Sequence, residues 1–421
     1  MVHADRLFPI CRSLTGDGVR QTLSYFEDYH PEFERLKFES GSQVFDWQIP
    51  HEWNIKDAYI EHIDSKQRFA LFTENNLHVV GYSEAVDKII SLDDLLPHIY
   101  SDPNMPDAIP YVTSYYKSDW GFCLSHNQKE SLPFGQYRAF IDSSLAPGSL
   151  ELSHAIFTGQ RANEIFFSSY ICHPSMANNE LSGPIVLAGL MDYLKKTYPN
   201  PKNTYRFVLL PETIGSIAYL SRFGDYMQNH TLAGFNLSCV GDNRAFSIVH
   251  SPFANTLADK ALNSVLSSCE NVHHYSFLDR GSDERQYCAP PFRLPLCTFC
   301  RSKFGTYPEY HTSYDDLSVI SEAGLQGSLS ILAHIVDAFE LGLKPLAKVC
   351  CEPQLGKRGL YSLLSKKGSS STESRHLLNI LTYADGEMSV FDIAEICHIP
   401  LGQLVEYITT LVAYDLIGFN S

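Results

Sequence analysis

The chain has 421 residues, a formal net charge of -16, 44% hydrophobic and 19% charged residues, so it reads as a globular protein of two or three domains. That acidic balance argues against nonspecific attachment to nucleic acid or to anionic membrane, both of which need cationic surface. No apolar run is long enough to span a bilayer, and Met1-Val-His-Ala-Asp-Arg lacks the pattern of a signal peptide, so a cytoplasmic location without a membrane partner is expected.

Taken in order, Leu7 to about Tyr29 reads as a helix. Leu14, Val19, Leu23 and Phe26 recur at helical spacing, and Thr15-Gly-Asp-Gly forms a turn within it. Phe33 to Phe38 reads as a first strand. From Ser42 to Leu132 aromatics, prolines and short alternating runs dominate, with helix expected only at Asp93 to Tyr100. This stretch reads as an inserted β-rich domain, residues 42–132, interrupting a larger domain made of residues 1–41 and 133–345.

From Tyr137 to Leu343 strands and helices alternate. Glu164 to Tyr170, Tyr205 to Leu210, Ala233 to Val240 and Pro295 to Cys300 read as strands. Pro184 to Tyr198, Ser216 to Asn229, Asn255 to Ser268 and Ser318 to Leu341 read as helices. Such alternation predicts an α/β fold with a mostly parallel sheet flanked by helices.

Residues 346–371 read as a linker, with Lys366-Lys-Gly-Ser-Ser-Ser-Thr as its hinge. Residues 372–421 then show three short helical patterns and an apolar end, spaced like a winged helix. One arginine faces six acids between Ser374 and Ser421, which leaves little to neutralise phosphates. Protein docking or self-association is the expected use of this tail, not nucleic acid binding.

The chemistry concentrates at strand ends, where open α/β sheets place ligands. His173 follows the strand Glu164 to Tyr170, and His311 lies in Tyr307-Pro-Glu-Tyr-His-Thr-Ser-Tyr-Asp-Asp before the last long helix. Each could be a satisfied structural histidine, but two in matching settings point to a metal or substrate site. Glu212 follows Phe207-Val-Leu-Leu-Pro; on an apolar rim its pKa rises, which suits a general base acting on water, though it could equally cap the next helix. In the polar turn after His173, Glu180 is the good zinc ligand and Asn179 a poor one; Asn178 belongs to the same turn. Asp283, Glu284, Arg285 and Tyr287, with Arg280, form a charged turn able to orient a substrate's amino or carboxyl group. Among the 11 cysteines, Cys297-Thr-Phe-Cys300 has zinc-knuckle spacing but no second pair; buried thiols are the expectation there.

The stretches Arg12-Ser-Leu-Thr-Gly-Asp-Gly, Val44-Phe-Asp-Trp, Ile171-Cys-His-Pro-Ser-Met-Ala-Asn, Gly281-Ser-Asp-Glu-Arg-Gln-Tyr and Tyr310-His-Thr-Ser-Tyr-Asp-Asp resemble a bacterial group of aminopeptidase-like proteins. That group carries an inserted β-rich domain and a C-terminal winged helix, and its genes accompany surface-polysaccharide loci. More broadly the chain resembles zinc-dependent exopeptidases, whose two metals need two histidines, a bridging aspartate, a glutamate and a further aspartate. On this resemblance His173 and His311 match the histidines. The bridging aspartate falls on Asn179 beside Glu180, the paired glutamates on Glu212 and Thr213, and the last aspartate on Ser238, with Asp242 nearby. One zinc ion on His173, Glu180 and His311 is therefore implied, with Asp242 and Asn179 as further candidates and Glu212 as base. The implied reaction is hydrolysis of an amide bond in a small peptide or amino-acyl substrate. The rival is a non-catalytic binding or scaffold protein on the same fold, linked to surface-polysaccharide biosynthesis.

Overall fold

The computed structural model describes residues 1–360 and 372–419. Its centre is an eight-stranded mixed sheet: β1 (Glu34–Glu39), β2 (Ser149–Phe157), β3 (Glu164–Tyr170), β4 (Thr204–Leu210), β5 (Thr231–Leu237), β6 (Phe246–Val249), β7 (Val272–Tyr275) and β8 (Leu296–Cys300). In space the order is β1-β2-β4-β3-β5-β8-β6-β7. The middle is parallel (β4, β3, β5, β8), whereas β1/β2, β2/β4 and β8/β6 are antiparallel. The β6/β7 pair is parallel as well, so four of the seven pairings are parallel and the expected mostly parallel sheet is borne out.

Every residue of β3 is buried, and neighbours along it serve opposite cores, as the two-residue period of a strand requires. Phe167 packs with Leu187 and Leu332 of α2 (Ser182–Thr197) and α5 (Glu322–Leu341), while Phe166 faces Ile217 and Tyr219 of α3 (Ile214–His230). Truncating either phenylalanine would cost about 3–5 kcal/mol. Gly183 lets α2 start directly on the sheet: a Cβ there would lie 2.1 Å from Ser169 Oγ. The fourth flanking helix, α4 (Leu257–Leu266), carries a capping box from Thr256 and Asp259.

The N-terminal reading needs correction. Helix runs over Val2–Leu7 and again over α1 (Asp17–Tyr29), and the residues between are a loop. Gly16 breaks the helix because its φ of 97° is left-handed and its α-hydrogen faces Trp53 O, 2.1 Å from where a Cβ would sit. That loop carries Arg12 into the protein interior.

The inserted domain is a four-stranded antiparallel sheet in the order Arg68–Phe69, Glu52–His62, Gln136–Ala146, Val86–Ser91. Because Gln136–Ala146 pairs along the whole of Glu52–His62, the insertion reaches past residue 132 to about residue 146. The segment after its core crosses the main domain: Tyr111 N–H donates to His311 O at 2.9 Å, and Ser313 N–H to Ile109 O at 2.8 Å.

The tail folds as three helices, Thr372–Tyr383, Val390–Cys397 and Leu401–Ala413, closed by Ile417–Phe419 pairing antiparallel with Pro345–Ala347. The winged unit thus borrows a strand from the expected linker; the hinge residues 366–371 lie outside the described residues. Its apolar faces share one core with α4 and α5, through Phe391 on Phe339 (centroids 5.3 Å apart) and Lys260 on Asp392 at 2.8 Å. Among the described residues no single helix is long and apolar enough to cross a membrane. Cys297 and Cys300 sit three apart on β8 and point into different cores, so they cannot share a zinc knuckle.

Candidate active site

The carboxyl ends of β3 and β4 lie side by side, and each delivers a functional residue. Ile171 N–H donates to Leu210 O at 2.9 Å and Glu212 N–H to Cys172 Sγ at 3.2 Å, which sets His173 beside Glu212. His173 Nε2 is 3.9 Å from Glu212 Oε2. His311 comes from the loop before α5 on a left-handed backbone (φ 57°) and stacks on Tyr310. The two imidazole centroids are 5.3 Å apart, although 138 positions separate them in the chain. Tyr111 of the inserted domain packs against both, 5.2 Å from His173 and 5.1 Å from His311, and its hydroxyl meets that of Tyr115.

Burial fixes the charge states. His173 and His311 are both pushed down to about 3, by desolvation first; Arg12 adds to the effect on His173, and His173 to that on His311. Both rings are therefore neutral near pH 7 and able to bind a metal. Glu212 is raised to about 8, chiefly by desolvation and then by the charge of Asp283, with Arg285 and the Ser282 hydroxyl opposing. Its side chain stays 20% exposed, so a proton can leave to solvent.

Glu180 sits in a single π-turn, Ala177–Leu181, that is buried throughout. Its Oε2 lies 3.0 Å from His173 Nδ1, and its Oε1 lies 3.5 Å from Arg12 Nε. Arg12 also donates to His173 O at 3.1 Å and to Leu7 O at 2.7 Å. Burial drives the Glu180 carboxyl well up, and Arg12 and His173 oppose that. Asp315 pins the same turn by accepting from the N–H groups of Asn178 (2.7 Å) and Asn179 (2.9 Å).

The other candidates are placed as follows. Asn179 Oδ1 accepts from Tyr170 OH at 3.3 Å, and that hydroxyl also meets Ser238 Oγ at 2.7 Å. Asp242 is removed from the centre, because its oxygens accept from Asn178 Nδ2, Ser302 N–H, Ser302 Oγ and Arg244 N–H. It holds loops together and does not face the imidazoles as a ligand. Thr213 adopts φ 65° and gives its N–H to Asp283 Oδ1 at 2.8 Å.

The charged turn proves largely internal. Asp283 also accepts from Ser216 Oγ at 2.8 Å and is raised by burial to about 6. Glu284 is saturated by Gly281 N–H, Ser282 N–H and Thr298 Oγ1. Tyr287 is fully buried with its hydroxyl 2.9 Å from Ser168 Oγ. These three therefore brace the Glu212 loop, though Asp283 Oδ2 keeps no hydrogen-bond partner; Arg285, which donates to Thr213 Oγ1, stays partly open.

Two donor sets could receive a cation. On the Nδ1 side of His173, Cys172, His173 and Glu180 offer atoms within 4.8 Å of one another. That side also carries the buried Arg12 charge, 3.5 Å from Glu180, whose repulsion opposes a cation there. On the Nε2 side stand Glu212 and His311, whose buried Nε2 has no hydrogen-bond partner. Among the described residues only Cys172, His173 and Glu180 gather donor atoms within 4.8 Å of one another; the Nε2 side offers an unpartnered imidazole nitrogen and a carboxylate that are set more widely. Glu180 thus stays a candidate ligand, as expected, and its Oε2, 3.0 Å from His173 Nδ1, also orients that ring, as carboxylates do behind metal-binding histidines.

The pattern reading missed Arg12, Tyr111 and Asp315 as parts of this centre. Arg12 and Asp315 lie inside stretches singled out for their resemblance, which was the available signal; Tyr111 carried none.

Comparison with known proteins follows the geometry. Residues 2–342 match the model of a domain of unknown function, DUF4910, and residues 344–418 match a winged helix-turn-helix model. A Clostridium acetobutylicum protein is 39% identical over 396 residues, covering 93% of this chain and 89% of that one; it is provisionally named a polysaccharide biosynthesis protein with an aminopeptidase-like domain. A crystal structure from Clostridium acetobutylicum, provisionally named a peptidase, superposes with a TM-score of 0.91 at 36% identity, covering 100% of this chain and 95% of that one. The zinc aminopeptidase BSAP of Bacillus subtilis superposes with a TM-score of 0.59 at 11% identity over 80% of this chain and 94% of that one, a likeness of fold alone.

Proposed function

Since this chain belongs to the DUF4910 family and has the aminopeptidase-like fold, we propose that it is a metal-dependent hydrolase cleaving an amide bond of a small peptide or amino-acyl substrate. The observation that carries this reading is the meeting of two neutral imidazoles, 5.3 Å between centroids, in front of a carboxyl raised to about 8.

His173 and His311 would hold one zinc ion, with Glu212 facing it. Bound there, the ion would polarise the substrate carbonyl and acidify a water molecule. Glu212 takes the proton of the attacking water; its raised pKa matches the task of accepting near neutral pH and later donating to the leaving amine. Glu180 fixes which nitrogen of His173 carries hydrogen, with Nδ1–H pointing at Oε2 and Nε2 left free. Tyr111 and Tyr115 close the apolar wall over both rings and exclude bulk water.

A second reading is favoured by one specific observation: Asn179, Thr213 and Ser238 stand where two-metal enzymes need acids, which suits a binding or scaffold protein on this fold. The naming of the Clostridium relative supports a role for either version in polysaccharide biosynthesis. The test is hydrolysis of aminoacyl-p-nitroanilides and dipeptides by the full chain with added zinc. The reading requires turnover that Glu212→Gln and His173→Ala each abolish; turnover unaltered in both variants, or none by the zinc-loaded protein, contradicts it.

A further inference from the structure

Beside the Glu212 loop a separate pocket of about 330 Å³ is lined by three arginines, Arg280, Arg285 and Arg293, together with Phe253, Phe277 and Thr256. Among the described residues none of the three guanidinium groups lies within 4.0 Å of a carboxylate. Arg285 faces the charges of Glu212 and Asp283 on its inner side, whereas Arg280 and Arg293 have no such partner; in a chain of net charge -16, this gathering of cations is the exception. The buried Asp259 is spent on Ser251, Thr256 and His250. Asp279 is spent on the Ser276 cap.

The arginines are also held for use. Arg293 stands on a left-handed backbone, φ 46°, and its side chain makes no hydrogen bond to any described residue. The Arg285 Nε is buried without a partner, while its other end is anchored on Thr213 Oγ1. Arg280 lies over the Phe277 ring, 5.0 Å from its centroid. Phe253, which lines the pocket, is 70% exposed, so its ring is free to meet a ligand.

We propose that this pocket binds a nucleoside diphosphate. Three guanidinium groups exceed what one carboxylate neutralises, and their forked donors match the multiple oxygens of a diphosphate. The two phenylalanine rings offer faces on which a planar base stacks, an interaction supplied by aromatic side chains to any base. The volume lies near the lower end of ordinary ligand pockets, roughly 300 Å³ and upward, which suits the diphosphate inside and the base at the rim. This assignment does not depend on the hydrolase reading, because it needs neither metal nor turnover.

The test is isothermal titration calorimetry of the full chain, stripped of metal by a chelator, with UDP, inorganic pyrophosphate, uridine and glycyl-leucine as probes. UDP is expected to bind and uridine not to. The R280A/R293A double variant is expected to weaken UDP by at least about tenfold, two bidentate contacts being lost, and F253A by about threefold or more. All three substituted side chains are exposed, so unchanged melting curves will show that the variants fold. Absence of UDP binding, or equal affinity in R280A/R293A, overturns the proposal. So does glycyl-leucine binding more tightly than UDP, which would assign the arginines to a peptide carboxylate. Pyrophosphate binding as well as UDP, with F253A silent, removes the base and equally overturns it.

Discussion

Arg12 and Glu180 form a fully buried ion pair, 3.5 Å between Nε and Oε1 with both side chains at 0% exposure. It stands directly behind His173, to whose carbonyl Arg12 donates and whose Nδ1 Glu180 faces.

Breaking that pair should be costly, because either partner alone is an uncompensated charge in the interior. Arg12→Met is expected to lower unfolding stability by about 3–5 kcal/mol, and Arg12→Met combined with Glu180→Leu by clearly less. Urea denaturation of the two variants and the parent measures this; equal losses would show that the pair is not energetically coupled.

Acid should unfold the chain partly through its histidines. His173 and His311 titrate near 3 when folded and near 6.5 when unfolded. Their folded values are depressed, so the unfolded state binds their protons first. The stability they support is present above about pH 6.5 and is lost as pH falls toward 3. In metal-free protein, the urea midpoint should drop between pH 7 and pH 5, and by less in His311→Gln. An identical drop in parent and variant would contradict the buried, neutral state of His311.

Glu212 should act in the opposite direction. Its folded value, about 8, is above the unfolded one, so the folded state holds the proton more tightly. Its contribution is present at pH 4 and is lost as pH rises from about 4.5 to 8. Metal-free Glu212→Gln should therefore gain stability relative to the parent as pH rises from 5 to 8. Parallel curves for the two proteins would place the Glu212 titration in the ordinary carboxylate range.

Tyr111 should shield the imidazoles. Its ring lies 5.1–5.2 Å from both and its N–H is tied to His311 O. Tyr111→Ala keeps that backbone bond and removes the wall. Diethylpyrocarbonate should then modify His311 at least about tenfold faster, as an opened apolar wall admits water and reagent. Mass spectrometry of the modified peptide reads the rate directly; no change would mean that the inserted domain does not gate access.

Much of this arrangement was legible in the sequence, and the exceptions have physical causes. β3, β4, β5 and β8 are rich in apolar residues because both faces are covered, so they stand out as runs even with Glu164, Arg206 and Asn236 among them. β2 did not, since Glu151, Ser153 and His154 interrupt its pattern. Folding hides those polar groups by pairing Glu151 with Arg20, Arg35 and Lys37, and His154 with Tyr219. Gln136–Ala146 read as part of the main domain because a strand's pattern does not say which sheet it joins. His173, His311 and Glu212 were visible as polar residues ending apolar strands or opening a helix. The ion pair behind Glu180 was not, because its partner Arg12 comes from a loop 168 positions earlier and shows no periodicity. Asp283, Glu284 and Tyr287 looked like a solvated substrate loop, since nothing in a charged run tells that backbone N–H groups will satisfy it internally.

The central claim is that His173 and His311 share one divalent cation. Zinc titration of the full chain against a chromophoric chelator, with parent, His173→Ala and His311→Ala proteins, addresses it most directly. The account predicts one ion per chain in the parent and loss of that ion in each variant. Retention of stoichiometric zinc by both variants, or no zinc in the parent, would contradict it.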